Sequence, residues 1–308
     1  MTGPIFPSVT LDGQSWLFRV EGGPLPVDAN GVEWILTKFD GWAGKPAPRT
    51  MRTDRQGHAG SFRSAAYTGP RIMNLEIVAT APSVLAMRNA ETAMAAVCSD
   101  GAKLYEMVVA ESGFSRSVFV ELDDAILSAP RLWNQTVFSL RLAAPDPRKQ
   151  DSAWQSPIGS LGIAPTGGAD YTGPGLVFSS FVDFGTPGVP SSVTVHNAGT
   201  TVAHPIFAVA GPLSANWQIV DITNGTIITY TKALGPTDIV TINSDDFPTQ
   251  GFPGHGVYLN TSNNQRSSLL TPGGWPAVLP GQTVTYNLRS TSYSSVASMT
   301  VSLRSAWN

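Results

Sequence analysis

The stretch Thr136-Val137-Phe138-Ser139-Leu140-Arg141-Leu142-Ala143-Ala144-Pro145-Asp146-Pro147-Arg148-Lys149 decides how the chain is organised. Its first seven residues alternate polar with apolar, Val137 excepted, and are rich in β-formers, which predicts a strand. Pro145 and Pro147 end that strand, because proline has no N–H for a sheet ladder and restricts the residue before it. Composition changes across this point: residues 1–150 hold 15 Lys+Arg and 15 Asp+Glu, residues 151–308 only 4 and 7. Two domains built under different constraints meet here, and 308 residues is a length that suits two domains of about 100–200 each.

Upstream, Ser15-Trp16-Leu17-Phe18-Arg19-Val20 and residues 32–39 have strand composition, as do residues 62–67, 71–80, 103–110 and 117–122. Between two of these lies a long segment, 40–60, with six Gly and Pro residues and Lys45, Arg49, Arg52 and Arg55 against only Asp40 and Asp54. A connection of that length without a core pattern is unusual inside a compact domain. It reads either as a solvated surface or as an arm reaching another subunit, and its length favours the arm. One helix is expected over residues 83–98. Ser83 is a good N-cap, Val84, Met87, Ala90, Met94 and Val97 recur on one face, and Gly101 is the expected stop.

Downstream, residues 151–190 are Gly/Pro/Ser-rich and predict a linker with short strands. Beyond it, short strands are expected at 192–196, 206–210, 217–222, 226–231, 238–243, 256–259, 283–288 and 298–303, with Asn224-Gly225 as a hairpin turn. That spacing predicts a β-sandwich. The fold class is therefore mainly β with one α-helix: a β-rich α+β domain over 1–150, a linker over 151–190 and a sandwich over 191–308.

Composition narrows the function. Cys98 is the only cysteine, so no intramolecular disulfide can form. A net charge of −3 makes no electrostatic case for nucleic-acid binding. No apolar run reaches the roughly 18–20 residues of a membrane span, and Met1-Thr2-Gly3-Pro4-Ile5-Phe6-Pro7 has neither the basic nor the apolar segment of a secretory signal. Charged residues make up 13% of the chain, about half the usual roughly 25%. Either surface is buried against other subunits, or it is built from Ser, Thr and Asn.

Catalytic motifs are sparse. Asp183-Phe184-Gly185 matches a kinase triplet, but no Gly-rich loop, strand lysine or catalytic loop accompanies it. His58, His196, His204 and His255 are scattered, with no second cysteine to suggest zinc. Asp123-Asp124 and Asp245-Asp246 read as solvated or turn-forming pairs. No enzyme activity, metal or cofactor is expected. The aromatics Trp217, Tyr230, Tyr258 and Trp275 leave two readings open: the large inward residues of a sandwich, or a stacking platform for a glycan. Trp307 shares that ambiguity.

The order of elements carries a resemblance. A strand-rich domain holds a long Gly/Pro/Arg loop, then Tyr67-Thr68-Gly69-Pro70-Arg71, one helix, and a strand ending in Ala144-Pro145-Asp146-Pro147-Arg148-Lys149. A sandwich follows, with Ser268-Leu269-Leu270, then Gly274-Trp275-Pro276-Ala277-Val278-Leu279-Pro280-Gly281, and near its end Ser305-Ala306-Trp307. This resembles the distal tail proteins, or minor tail proteins, of long-tailed, non-contractile phages, especially those of actinobacterial hosts. The chain departs from the pattern at Gln150, where an aromatic is common, and in the length of 151–190. The resemblance implies a homo-hexameric ring of N-terminal domains at the tip end of the tail, with a galectin-like sandwich projecting outward. It implies that the ring joins the tail tube protein to the tip hub protein, encircles the C-terminal end of the tape-measure protein, and passes DNA without reading it. The implied location is the virion, after synthesis in the host cytoplasm. A rival reading makes the sandwich a host-surface carbohydrate binder. A glycoside hydrolase, which needs two carboxylates about 5–10 Å apart, has no acid pair to recommend it.

Overall fold

Strand β1 (Ser8–Leu11) shows how the first unit is built: Val9 and Leu11 are fully buried, and the residues between them are not. The turn at Asp12-Gly13, both at positive φ, returns the chain as β2 (Gln14–Phe18). The structure is a computed structural model that describes residues 8–18, 27–50, 52–56, 58–59, 61–63, 67–161, 192–245, 254, 256–260, 266–291, 294 and 296–308. The chain divides into two compact units, Met1–Ser152 with Asn308, and Ala153–Trp307.

In the first unit, β3 (Glu33–Asp40) is followed by four short strands, β4 (Pro48–Arg49), β5 (Arg52–Asp54), β6 (Ser61–Arg63) and β7 (Tyr67–Thr68). Then come β8 (Arg71–Thr80), α1 (Val84–Ala95), β9 (Tyr105–Glu111), β10 (Phe114–Leu122), β11 (Leu127–Leu132), β12 (Gln135–Ala144) and β13 (Lys149–Asp151). The sheet runs β11-β12-β8-β3-β2-β1-β9-β10-β13, and β10 also pairs β12 through Glu121–Ala143 and Leu122–Leu142, which makes a near-closed barrel. Pairing is antiparallel except between β2 and β3. Trp16, Leu36, Met73, Leu75, Ile77, Met107, Val109, Phe138 and Leu142 fill the interior. In β3 the buried alternation stops after Leu36, where a bulge shifts the register against β8.

The helix starts where the N-cap signal placed it: the Ser83 hydroxyl accepts from the Ala86 N–H. Met87, Ala90, Met94 and Val97 join the barrel core. Val84 does not, being 56% exposed, while Ala86 is buried. At about 100° per residue, Val84 stands about 100° from the centre of the Met87/Ala90/Met94/Val97 arc and Ala86 only about 60°, so the buried face includes Ala86 in its place. The stop also differs. The helix ends before Gly101, with Cys98 at φ 52° and its N–H bonded to the Asp12 carboxylate at 3.0 Å. Strand β11 has no counterpart in the sequence reading, because all six of its residues are exposed and it shows no core alternation.

The second unit contains β14 (Ile158–Ser160), β15 (Ser192–His196), β16 (Ile206–Ala210), β17 (Trp217–Asp221), β18 (Ile227–Tyr230), β19 (Ile239–Asn243), β20 (Gly256–Leu259), β21 (Leu270–Pro272), β22 (Thr283–Arg289), β23 (Ser298–Ser302) and β24 (Ala306–Trp307). Two five-stranded antiparallel sheets, β14-β23-β16-β19-β20 and β15-β22-β17-β18-β21, enclose one apolar core. All eight strands expected from residue 192 onward are present. The Asn224-Gly225 turn joins β17 to β18, with Gly225 at φ +79° and the Asp221 carboxylate accepting from the Thr223 and Asn224 N–H groups. The expected 151–190 linker contributes strands at its start: β13 pairs β10, and β14 is an edge of the sandwich. Residues 162–191, with Asp183-Phe184-Gly185 among them, lie outside the described residues.

Candidate assembly surfaces

Strands β3 and β8 are antiparallel neighbours, so the segment joining them is a long β-hairpin connection. Its root is built from buried polar contacts. Gly41 has φ +86°, and a side chain there would run into the Ile72 carbonyl, so only glycine fits. Trp42 is fully buried, stacks on Phe39, and donates its indole N–H to Glu111 Oε1 at 2.7 Å. Arg71, at the start of β8, is 1% exposed. Its Nη1 donates to the carbonyls of Gly41, Trp42 and Gly44 at 3.0, 2.9 and 2.7 Å, and its Nε to Pro147 O at 3.0 Å. Lys149, 5% exposed, places Nζ 3.5 Å from the same Trp42 carbonyl and 5.3 Å from the Trp42 ring centre.

Carboxylates surround this cation pair without bonding it directly. Glu111 pairs with Arg116 at 3.1 Å, and Asp146 holds Arg148 through both oxygens. Burial pushes the Arg71 pKa down, against the Asp146 charge. Burial, and then the Arg71 charge, push Lys149 down as well. Tyr67-Thr68-Gly69-Pro70-Arg71 and Ala144-Pro145-Asp146-Pro147-Arg148-Lys149 thus meet in space, with Arg71 opposite Ala144 in the β8–β12 ladder. Both motifs are visible in the sequence, but neither Arg71 nor Lys149 stands out there as a functional residue. The signal available was a basic residue next to a proline turn in each.

Beyond the root the chain turns outward. β4 pairs β7 and β5 pairs β6, forming two short ribbons. Lys45, Arg49 and Arg55 are exposed, as are Phe62 (62%) and Tyr67 (72%), and Arg55 lies over the Phe62 ring at 4.9 Å. Arg52 sits in β5, and its side chain is outside the described residues. Beyond the buried root, the described side chains from Ala47 to Phe62 are therefore exposed, on two short ribbons.

The sandwich aromatics are core. Trp217, Tyr230 and Tyr258 are 0–2% exposed, and Trp217 stacks on Tyr230 at 5.0 Å. Trp275 is half-buried and packs on the same core. The stacking-platform reading of Trp217, Tyr230 and Tyr258 is corrected: the strand pleat turns these large side chains inward, where no sugar reaches them. His196 bonds Thr283 at the surface, Asp123 pairs with Arg141 at 2.6 Å, and Asp245 is buried. Among the described residues no group of three His, Cys, Asp or Glu is placed to hold a metal ion, and no helix is long and apolar enough to cross a membrane.

Among the described residues the fold is mainly β with a single α-helix, in a near-barrel unit and a sandwich unit. It is the fold of the Dit protein (gp 19.1) of phage SPP1, described as a paradigm of the hub adsorption apparatus of phages that infect Gram-positive bacteria. The likeness covers 99% of this chain and 100% of that one, with a TM-score of 0.57 and 12% identity. The activated baseplate of phage P2 with Ca gives a chain at TM-score 0.44 and 8% identity, over 93% of this chain and 99% of that one. No protein-family model matches the chain, and no curated protein does.

Proposed function

We propose that the chain is a structural, non-enzymatic component of a phage tail: a distal tail protein whose barrel units form a six-membered ring between the tail tube protein and the tip hub protein. The ring would surround the end of the tape-measure protein and let DNA pass. The observation that carries this reading is the end-to-end likeness to SPP1 Dit, over 99% of this chain and 100% of that one. The projecting 40–60 hairpin supports it, because a solvated ribbon on a clamped base suits a contact between subunits. The low charge of the chain supports it too, since interface cores are depleted in charge. The glycan-binding alternative loses its aromatic platform with Trp217, Tyr230 and Tyr258 in the core.

Native mass spectrometry and electron microscopy of the purified chain test the reading. Rings of six copies of the 32.6 kDa chain are expected. A protein that remains a single chain at every concentration would overturn it.

A further inference from the structure

We infer that the 45–63 arm of one copy docks into a groove on the barrel face of a second copy, with Glu76 and Asp124 receiving its arginines; this rests on the ring reading above. The argument begins with charge. Residues 45–63 hold five basic residues and one acidic, whereas the remainder of 1–150 holds ten basic and fourteen acidic. Arg71 and Lys149, two of those ten, are buried and turned toward backbone carbonyls, so the surface of the barrel is more acidic than the count. A basic ribbon and an acidic body on the same chain complement each other between copies.

The groove is where that complement has shape. It has a volume of about 240 Å³ and lies across β3, β8 and β12 beneath the 124–127 loop. That is below the roughly 300–1,000 Å³ of small-molecule sites and suits one or two side chains of a docked segment. Two of its cations are already engaged: Lys38 with Asp40 at 3.0 Å, which raises the Lys38 pKa, and Arg141 with Asp123 at 2.6 Å. Glu76 accepts a 3.4 Å bond from the Thr37 hydroxyl and feels the Lys38 charge without pairing with it at contact distance, and Asp124 accepts from the N–H of its neighbour Ala125. Each keeps a carboxylate face that can take a guanidinium in bidentate geometry. Leu127, 67% exposed, lines the same groove and offers an apolar contact for Phe62 or an arginine stem.

The arm does not fill its own groove, because its described residues beyond Pro46 are exposed, Gly69 at its base excepted. It has the reach to fill another. The twelve residues from Pro46 to Gly57 can reach at most about 40 Å when extended, about three times the ~13 Å radius of gyration of a 100-residue domain. An arm-to-groove contact is heterologous, and repeated around an axis it closes a ring.

The test is charge reversal in the full-length chain, read as the concentration for half-assembly in 0.15 M salt. Glu76→Arg with Asp124→Arg is expected to raise that concentration at least tenfold, and Arg49→Glu with Arg55→Glu in the same chain to restore assembly. Asp124→Arg alone, at an exposed position, gives the same direction if the Glu76 variant folds poorly. Wild-type chains that assemble while the groove variants assemble equally well overturn the groove and leave the ring reading standing. Loss of assembly by the arm variants without rescue means the arm docks elsewhere, and also overturns the groove. Wild-type chains that never assemble overturn the ring reading itself and this inference with it.

Discussion

Replacing Arg71 by methionine tests the clamp at the root of the arm. The guanidinium supplies donors to four carbonyl oxygens, those of Gly41, Trp42, Gly44 and Pro147. Gly41 and Gly44 are exposed residues, so water can replace Arg71 at their carbonyls. The Trp42 carbonyl bond is buried, and the Pro147 one partly so. An orphaned buried acceptor costs about 1–3 kcal/mol, so two of them cost about 2–6 kcal/mol. Relief of the like charge on Lys149 offsets part of this, leaving a loss of about 3 kcal/mol. For a domain near 150 residues that lowers the melting temperature by about 6–12 °C. Arg71→Lys should recover little, since one ammonium cannot span carbonyls on both sides of the cluster. The assay is calorimetry of the full chain together with amide exchange at residues 41–45, which should accelerate more than exchange in β8. A shift below about 2 °C with unchanged exchange would refute the clamp.

Met94→Ala should cost about 2–5 kcal/mol by chemical denaturation, because Met94 is 1% exposed in the barrel core, whereas Val84→Ala at its exposed position should stay within about 0.5 kcal/mol. The Cys98 thiol, raised to about 12 from an ordinary 9.0 by burial and then by the Asp12 charge, should resist thiol reagents at pH 8 until denaturant is added. Since the folded chain holds that proton more tightly than the unfolded one, its contribution is constant below about pH 9 and is lost as pH rises from 9 to about 12. Duplex DNA should show no salt-dependent binding at micromolar protein, a filter-binding measurement that checks whether a −3 chain can pass DNA without gripping it.

Much of the fold is legible in one dimension because alternation and turn chemistry are local signals. The eight sandwich strands expected from residue 192 onward, the Ser83 cap and the Asn224-Gly225 turn all appear where period and residue type place them, whereas the short β21 and β24 lie outside the expected strands. Strand β11 is illegible for the opposite reason: an edge strand with no buried face has no pattern to show, and Pro130 in its middle argues against a strand. Val84 misleads because a stripe of apolar residues gives the helix face only to within a residue or two. Barrel closure depends on the β10–β12 contact and the parallel β2–β3 pairing, which no local window contains. For the aromatics, sequence offered core and platform alike, and only burial separates them. For Arg71 the proline-turn signal marks a basic residue but not its role, since arginine is almost never fully buried and the carbonyls that hold it come from two distant turns.

The clamp bears on function because stability alone does not account for it. A well-packed hydrophobic replacement for a buried ionic group is often as stable as the group itself, or more so. What apolar side chains cannot do is turn the Gly41, Trp42 and Gly44 carbonyls toward one point and tie that point to Pro147. Arg71 does so with one rigid fork, and Gly41 supplies the backbone angle that the turn needs. Four backbone carbonyls held by one side chain, with only Arg71 Nη2 left without a partner, favour one geometry. Here it fixes the direction in which an otherwise solvated hairpin leaves the barrel. A binding surface carried by a long ribbon loses affinity to the entropy of ordering that ribbon, and a fixed base removes part of that cost. On the docking proposed above, the buried arginine and the exposed arm act together, and Arg71→Met should weaken assembly more than its loss of stability alone would.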